Sequence, residues 1–103
     1  MIVVNVLYPN APGAKFDLDY YLQRHMPMVQ RRLGAPLQRV AVERGLAGGA
    51  PGAPPPFLAA AHLYFESVEA FQGAFGPHAE TILADVPNYT NTTPLIQISE
   101  VSL

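Results

Sequence analysis

The sequence predicts an α+β fold of order strand, helix, strand, strand, helix, strand, with two helices on one face of a four-stranded antiparallel sheet. Three observations carry that prediction. Four short runs alternate or are rich in β-branched and aromatic residues, and two longer runs repeat apolar residues at helical spacing. Proline, glycine or asparagine clusters separate them. At 103 residues the chain has room for a single domain, residues 1–103.

The first strand is Ile2 to Tyr8, stopped by Pro9-Asn-Ala-Pro12-Gly13. This apolar run is too short for a signal-peptide core or a membrane span, and Asn5 interrupts it. Asp17 has the chemistry of an N-cap, and Asp19 places an anion in the first helical turn. From Leu18 the helical template selects Leu18, Tyr21, Leu22, His25, Val29, Arg32 and Leu33. Gly34 closes this helix and Pro36 prevents its resumption.

The second strand, Leu37 to Arg44, sets Val40 and Val42 on one side and Arg39 and Glu43 on the other. Ala47 to Pro56 is a Gly/Pro/Ala-rich stretch and reads as a long hairpin loop. The third strand, Phe57 to Phe65, puts Phe57, Ala59, Ala61, Leu63 and Phe65 on one face and Leu58, Ala60, His62 and Tyr64 on the other. Both faces are largely apolar, so both call for cover. Ser67 caps a second helix whose stripe is Val68, Phe71, Gln72, Phe75, Ala79, Ile82 and Leu83, kinked at Gly76-Pro77. Asp85 to Thr93 is a loop, and Leu95 to Val101 is the last strand.

Only 14% of residues are charged, against about 25% in average soluble proteins. Two such sheets packed face to face would cover that apolar surface, so a homodimer through the sheet faces is expected. Six Lys/Arg scattered among eight Asp/Glu make no basic patch, which argues against nucleic acid. The absence of cysteine excludes disulfides and thiolate chemistry. No run reaches membrane-spanning length, and a cytoplasmic location is expected. On that basis the sequons at Asn88 and Asn91 are coincidental.

His25-Met-Pro27 is the most informative tripeptide. His25 falls on the inward stripe of the first helix, and Pro27 leaves the Gln23 carbonyl without its usual partner. On residues alone, a core histidine bonded to a backbone carbonyl is the simpler reading. The sharper one is an acid/base group, since imidazole exchanges protons near pH ~6.5. Tyr20 and Tyr21 lie one turn before and could orient a ligand, although packing alone explains Tyr21. His62 faces either the same gap or the interface between copies, depending on register. His78 follows the Gly76-Pro77 break at a new helix start. Asn88 suits a turn, and Tyr89 in this polar loop suits a cavity mouth. The three histidines lack metal-ligand spacing, and no phosphate-binding or nucleophile-elbow motif is present, so neither metal nor cofactor is expected.

Three segments together resemble the EthD-like family, named for ethyl tert-butyl ether degradation. They are Tyr20-Tyr21 to His25-Met-Pro27, Leu63-Tyr-Phe-Glu-Ser-Val-Glu-Ala-Phe71, and Asp85-Val-Pro-Asn-Tyr-Thr90 leading into Pro94-Leu-Ile-Gln-Ile98. The resemblance covers most of the chain, apart from the Gly/Pro/Ala loop. It implies a dimeric α+β barrel of two ferredoxin-like protomers, in a superfamily that includes muconolactone isomerases, cofactor-free monooxygenases and haem enzymes. It further implies that His25 lines a cleft. The expected function is binding of a hydrophobic small molecule (aromatic, lactone or polyketide-like), with isomerisation, dehydration or oxygenation through His25. Tyr20, Tyr21, His62, His78, Asn88 and Tyr89 are the expected contacts. The alternative is a non-catalytic accessory or binding protein of a degradative pathway.

Overall fold

A computed structural model describes all 103 residues. Four strands, β1 (Ile2–Pro9), β2 (Arg39–Arg44), β3 (Phe57–Phe65) and β4 (Leu95–Glu100), form one antiparallel sheet in the order β2-β3-β1-β4. Between β1 and β2 run α1 (Leu18–Tyr20), a π-helical turn (Tyr21–His25) and α2 (Met26–Leu33). Between β3 and β4 run α3 (Val68–Phe75), a 3-10 turn (Gly76–His78) and α4 (Ala79–Ala84), then a second 3-10 turn (Val86–Asn88). This is the ferredoxin-like arrangement that the alternating pattern predicts.

Register decides which residues meet the helices. Val4 lies opposite Leu63 and Ile98, and Val6 opposite Ala61 and Ile96. Every buried strand residue (Ile2, Val4, Tyr8, Ala59, Ala61, Leu63 and Phe65) therefore faces one way. Tyr21, Met26, Val29, Leu33 and Ile82 of the helices, with Tyr89 of the following loop, complete this core. The opposite face carries Val3, Asn5, Leu7, Leu58, Ala60, His62 and Tyr64.

The caps at Asp17 and Ser67 form as read: each side chain accepts from the backbone N–H three residues on. Gly34 ends α2 at φ +66°, a conformation that a β-carbon disfavours. The first helix departs from the straight template. The Met26 N–H bonds the Tyr21 carbonyl, five residues back, and Pro27 follows without an N–H of its own. Widening the turn by one residue rotates everything after it by about 100°. Met26 joins the buried side, Val29 and Leu33 stay on it, and Leu22, which the straight template turns inward, is 46% exposed.

β2 starts at Arg39, two residues later than the pattern suggests, because Gly34 to Pro36 hold the chain in a turn. The Gly/Pro/Ala loop is tied down by hydrogen bonds. Gly45 N–H bonds the Leu58 carbonyl at 2.9 Å, Gly48 N–H bonds Ala53 at 2.8 Å, and Asn10 Nδ2 donates to the Pro55 carbonyl at 2.9 Å. At Gly45 a β-carbon would stand 2.1 Å from the Phe57 oxygen, so this approach admits only glycine.

Candidate functional site

Between the covered face of the sheet and the helices lies a cavity of about 80 Å³. Aliphatic and aromatic side chains line most of it, and no lysine, arginine, aspartate or glutamate reaches it. Leu83 and Ile96, both about half exposed, stand at its outer side. The four lining residues with side-chain nitrogen or oxygen, His25, Tyr8, Tyr21 and Tyr89, lie together.

Each of these groups is placed by a different element. Tyr8 ends the inward alternation of β1. Tyr21 and His25 begin and end the π turn, and their rings stack at 5.2 Å and 17°. Tyr89 comes from the loop after α4, which is pinned to the α1 entry by the Asp17 N–H on the Tyr89 carbonyl at 2.8 Å. Thr90 Oγ1 on the Lys15 carbonyl at 2.7 Å adds a second tie. Phe16, Tyr8, Tyr21 and Tyr89 then pack as one aromatic cluster, with neighbouring ring centroids 4.8 to 5.8 Å apart.

His25 is 4% exposed, and its Nδ1 lies 2.8 Å from Asp85 Oδ2. A carboxylate can only accept, so Nδ1 carries the proton and donates. Asp85 Oδ1 receives two further bonds, from the Tyr20 hydroxyl at 2.6 Å and from Asn88 Nδ2 at 2.9 Å. Burial pulls the Asp85 carboxyl upward, but the bonds from Tyr20, Asn88 and His25 together hold it below its ordinary 3.8. Burial lowers the His25 value from 6.5, and the bond to Asp85 only partly opposes this. At neutral pH the pair is a carboxylate beside a neutral imidazole.

His25 Nε2 has no hydrogen bond within the chain. No fully buried side-chain nitrogen or oxygen is left unpaired, so Nε2 keeps contact with open space. His25 also lines the cavity. The arrangement offers one unshared pair of electrons to whatever occupies an otherwise apolar pocket.

Of the residues singled out in the sequence, five converge here: His25, Tyr20, Tyr21, Asn88 and Tyr89. Tyr20 and Asn88 hold Asp85 and stand outside the cavity lining. Two residues are not brought in. His62 projects from the opposite sheet face, with Nδ1 2.7 Å from Asn5 Oδ1 and Nε2 2.9 Å from Glu43 Oε1, because its register partner is Asn5. His78 sits in the 3-10 turn between α3 and α4, half-buried and outside the lining. Sequence reasoning passes over two members of the site. Tyr8 ends the Ile2, Val4, Val6 alternation with a hydroxyl, and Asp85 stands one turn before Asn88 and Tyr89. In both cases the signal is a polar atom at the end of an apolar pattern.

Fold and site together define a small α+β protein with an apolar internal cavity and one ionisable pair at its end. The chain belongs to the EthD domain family, whose model matches residues 14–93. It is similar to an EthD-like protein from Ralstonia eutropha JMP134, at 50% identity and a TM-score of 0.94, covering 99% of this chain and 92% of that one. An uncharacterised 11.0 kDa protein of the thcB-thcC intergenic region of Rhodococcus erythropolis is 36% identical over 96 residues, 88% of this chain and 85% of that protein. An ethyl tert-butyl ether degradation family protein from Bacillus halodurans C-125 shares the fold at 18% identity and a TM-score of 0.67, covering 99% of each chain.

Proposed function

We propose that the protein binds an apolar small molecule in this cavity and moves a proton on it through His25 Nε2. The supporting observation is the 2.8 Å bond from Nδ1 to an ionised Asp85, which leaves Nε2 unprotonated on a residue that lines an apolar cavity. In that state imidazole is a general base, and the carboxylate behind it stabilises the imidazolium that forms. Proton abstraction and return at a second atom is an isomerisation; return to a departing hydroxyl is a dehydration. The cavity is smaller than the ~150 Å³ that accommodates benzene, which favours a compact ligand with one ring at most inside and any second ring projecting past the half-exposed Leu83 and Ile96.

A homodimer through the uncovered sheet faces completes the proposal. That face carries Val3, Leu7, Leu58, Ala60 and Tyr64 with no helix over them, and Leu95 beside Leu7 is 55% exposed.

The experiment is an NMR titration of ¹⁵N-labelled His25 with a panel of apolar lactones, ketones and phenols, with His25→Gln as control. Binding shifts the Nε2 resonance, and turnover or solvent proton exchange vanishes in His25→Gln. A resonance that no compound moves, or exchange equal in the variant, rejects the acid/base role. Binding without any exchange leaves the non-catalytic carrier as the function.

A further inference from the structure

Three phenols meet at the inner end of the cavity, and their protons can be counted. Tyr8 donates its hydroxyl proton to Tyr21 across a long 3.4 Å contact. Its oxygen also lies 2.7 Å from the Tyr89 oxygen. A tyrosine has one hydroxyl proton, so both contacts are satisfied together when Tyr89 donates to Tyr8 and Tyr8 to Tyr21. The chain of donation runs Tyr89 to Tyr8 to Tyr21 and ends on a Tyr21 proton with no acceptor inside the protein. Burial raises all three phenols above their ordinary value of 10, so each remains a neutral donor. The Tyr21 ring stacks on the His25 ring at 5.2 Å, and both residues line the cavity.

We infer that this hydroxyl chain is an anchor for the oxygen of an enolisable, uncharged carbonyl compound, with Tyr21 touching that oxygen and Tyr8 and Tyr89 positioning Tyr21. The inference rests on the proton-transfer role given to His25 and names its substrate class. A ligand matching this end must offer an acceptor to Tyr21 and an acidic hydrogen to Nε2, on neighbouring atoms. A carbonyl with a hydrogen on its α-carbon offers both. The α C–H bond breaks, its proton goes to Nε2, and its electron pair becomes the enolate π bond with charge on oxygen. The Tyr21 O–H holds that oxygen, with its own donor strength raised by the chain behind it. Return of the proton from His25 to the same α-carbon gives exchange, and its delivery to the γ-carbon of a dienolate turns a β,γ-unsaturated carbonyl into its conjugated isomer, in both cases with no net oxidation. With no lysine or arginine in the lining, a carboxylate or phosphate would be buried uncompensated, so the substrate is neutral at this end.

The test uses 2-indanone, whose ring α-hydrogens exchange with deuterated solvent, and indane, the same rings without oxygen. Wild-type protein binds 2-indanone more tightly than indane and accelerates the exchange above the buffer rate. Tyr21→Phe keeps the ring and its stacking and loses the donor, and should slow exchange by about 10²-fold. Tyr8→Phe and Tyr89→Phe should give successively smaller losses, ordered by place in the donor chain, with the thermal transition of each variant showing that it folds. Indane bound as tightly as 2-indanone, or indane-2-carboxylate bound more tightly than the ketone, overturns the anchor. Exchange that depends on His25 but is unchanged in folded Tyr21→Phe overturns the anchor and leaves the base intact. Exchange unchanged in His25→Gln removes both.

Discussion

Asp85→Asn isolates what the carboxylate does for His25, because the two side chains have nearly the same shape. In the native site Nδ1–H donates to Asp85 Oδ2 at 2.8 Å. The opposite tautomer would set a ring lone pair against a carboxylate and lose a hydrogen bond to a charged group, worth about 1.5–3 kcal/mol. At RT near 0.6 kcal/mol that holds roughly 13 to 160 rings with Nε2 free for each one with Nε2 protonated. An asparagine oriented to keep the Tyr20 and Asn88 bonds on Oδ1 presents Nδ2, a donor, to Nδ1. Two donors cannot share a bond, so the ring changes tautomer, Nδ1 accepts, and Nε2 shows the cavity a proton. A neutral bond of about 0.5–1.5 kcal/mol then leaves roughly 7–30% of rings with a usable Nε2, a loss of about 3- to 14-fold. The imidazolium also loses its carboxylate, a further 1.5–3 kcal/mol or about 10- to 150-fold. Together proton transfer should fall by about 30- to 2,000-fold. Long-range ¹H–¹⁵N spectra of His25 read the tautomer directly, and solvent exchange into 2-indanone reads the rate. A folded Asp85→Asn protein that keeps the native tautomer, or transfers protons at the native rate, would refute the reasoning.

Two further predictions follow from charge and from exposed surface. Both pair members have folded-state values below their unfolded ones, so the unfolded chain binds protons first on acidification. Stability is therefore full above pH 6.5, falls from about 6.5 downward as unfolded His25 protonates, and falls again below about 3.8 through Asp85. Urea unfolding between pH 8 and 3 measures this. His25→Gln should remove the upper step, and stability that rises from pH 7 to 5 contradicts the assignment. Sedimentation equilibrium at micromolar concentration should report a dimer, and a charge placed on the uncovered face by Leu58→Glu should shift it toward monomer while leaving the helix-side core intact. A wild-type monomer at that concentration rejects the dimer.

Alternation makes the fold legible because each strand must bury one side, and the period of two leaves a direct trace in β1 and β3. Capping residues and glycine stops leave equally local traces at Asp17, Ser67 and Gly34. The π turn leaves none. Its effect, Met26 in and Leu22 out, depends on a hydrogen-bond shift that residue spacing does not encode. His62 shows a second limit, since its face follows from pairing with Asn5, fifty-seven residues away. The same holds for the site. His25 is visible by its position on the helical stripe, but Asp85 lies sixty residues further on, and Tyr89 eighty-one residues from Tyr8. Helical and strand periods describe neighbours along the chain, whereas these partners meet only once the sheet has ordered.

The polar groups in the cavity are not what the fold requires. Only 15 of 103 residues are buried, and a core that small gains most from apolar side chains. Replacing a buried ionisable pair by well-packed apolar groups is often neutral or stabilising. Phenylalanine at positions 8, 21 and 89 would keep the ring packing without desolvating three hydroxyls. The likeness at 18% identity shows how loosely the architecture constrains its residues. Yet here the buried imidazole is oriented by a carboxylate, and the carboxylate is held by two further donors outside the cavity. The carboxylate fixes which nitrogen of His25 is left unprotonated, as the proposed proton transfer requires.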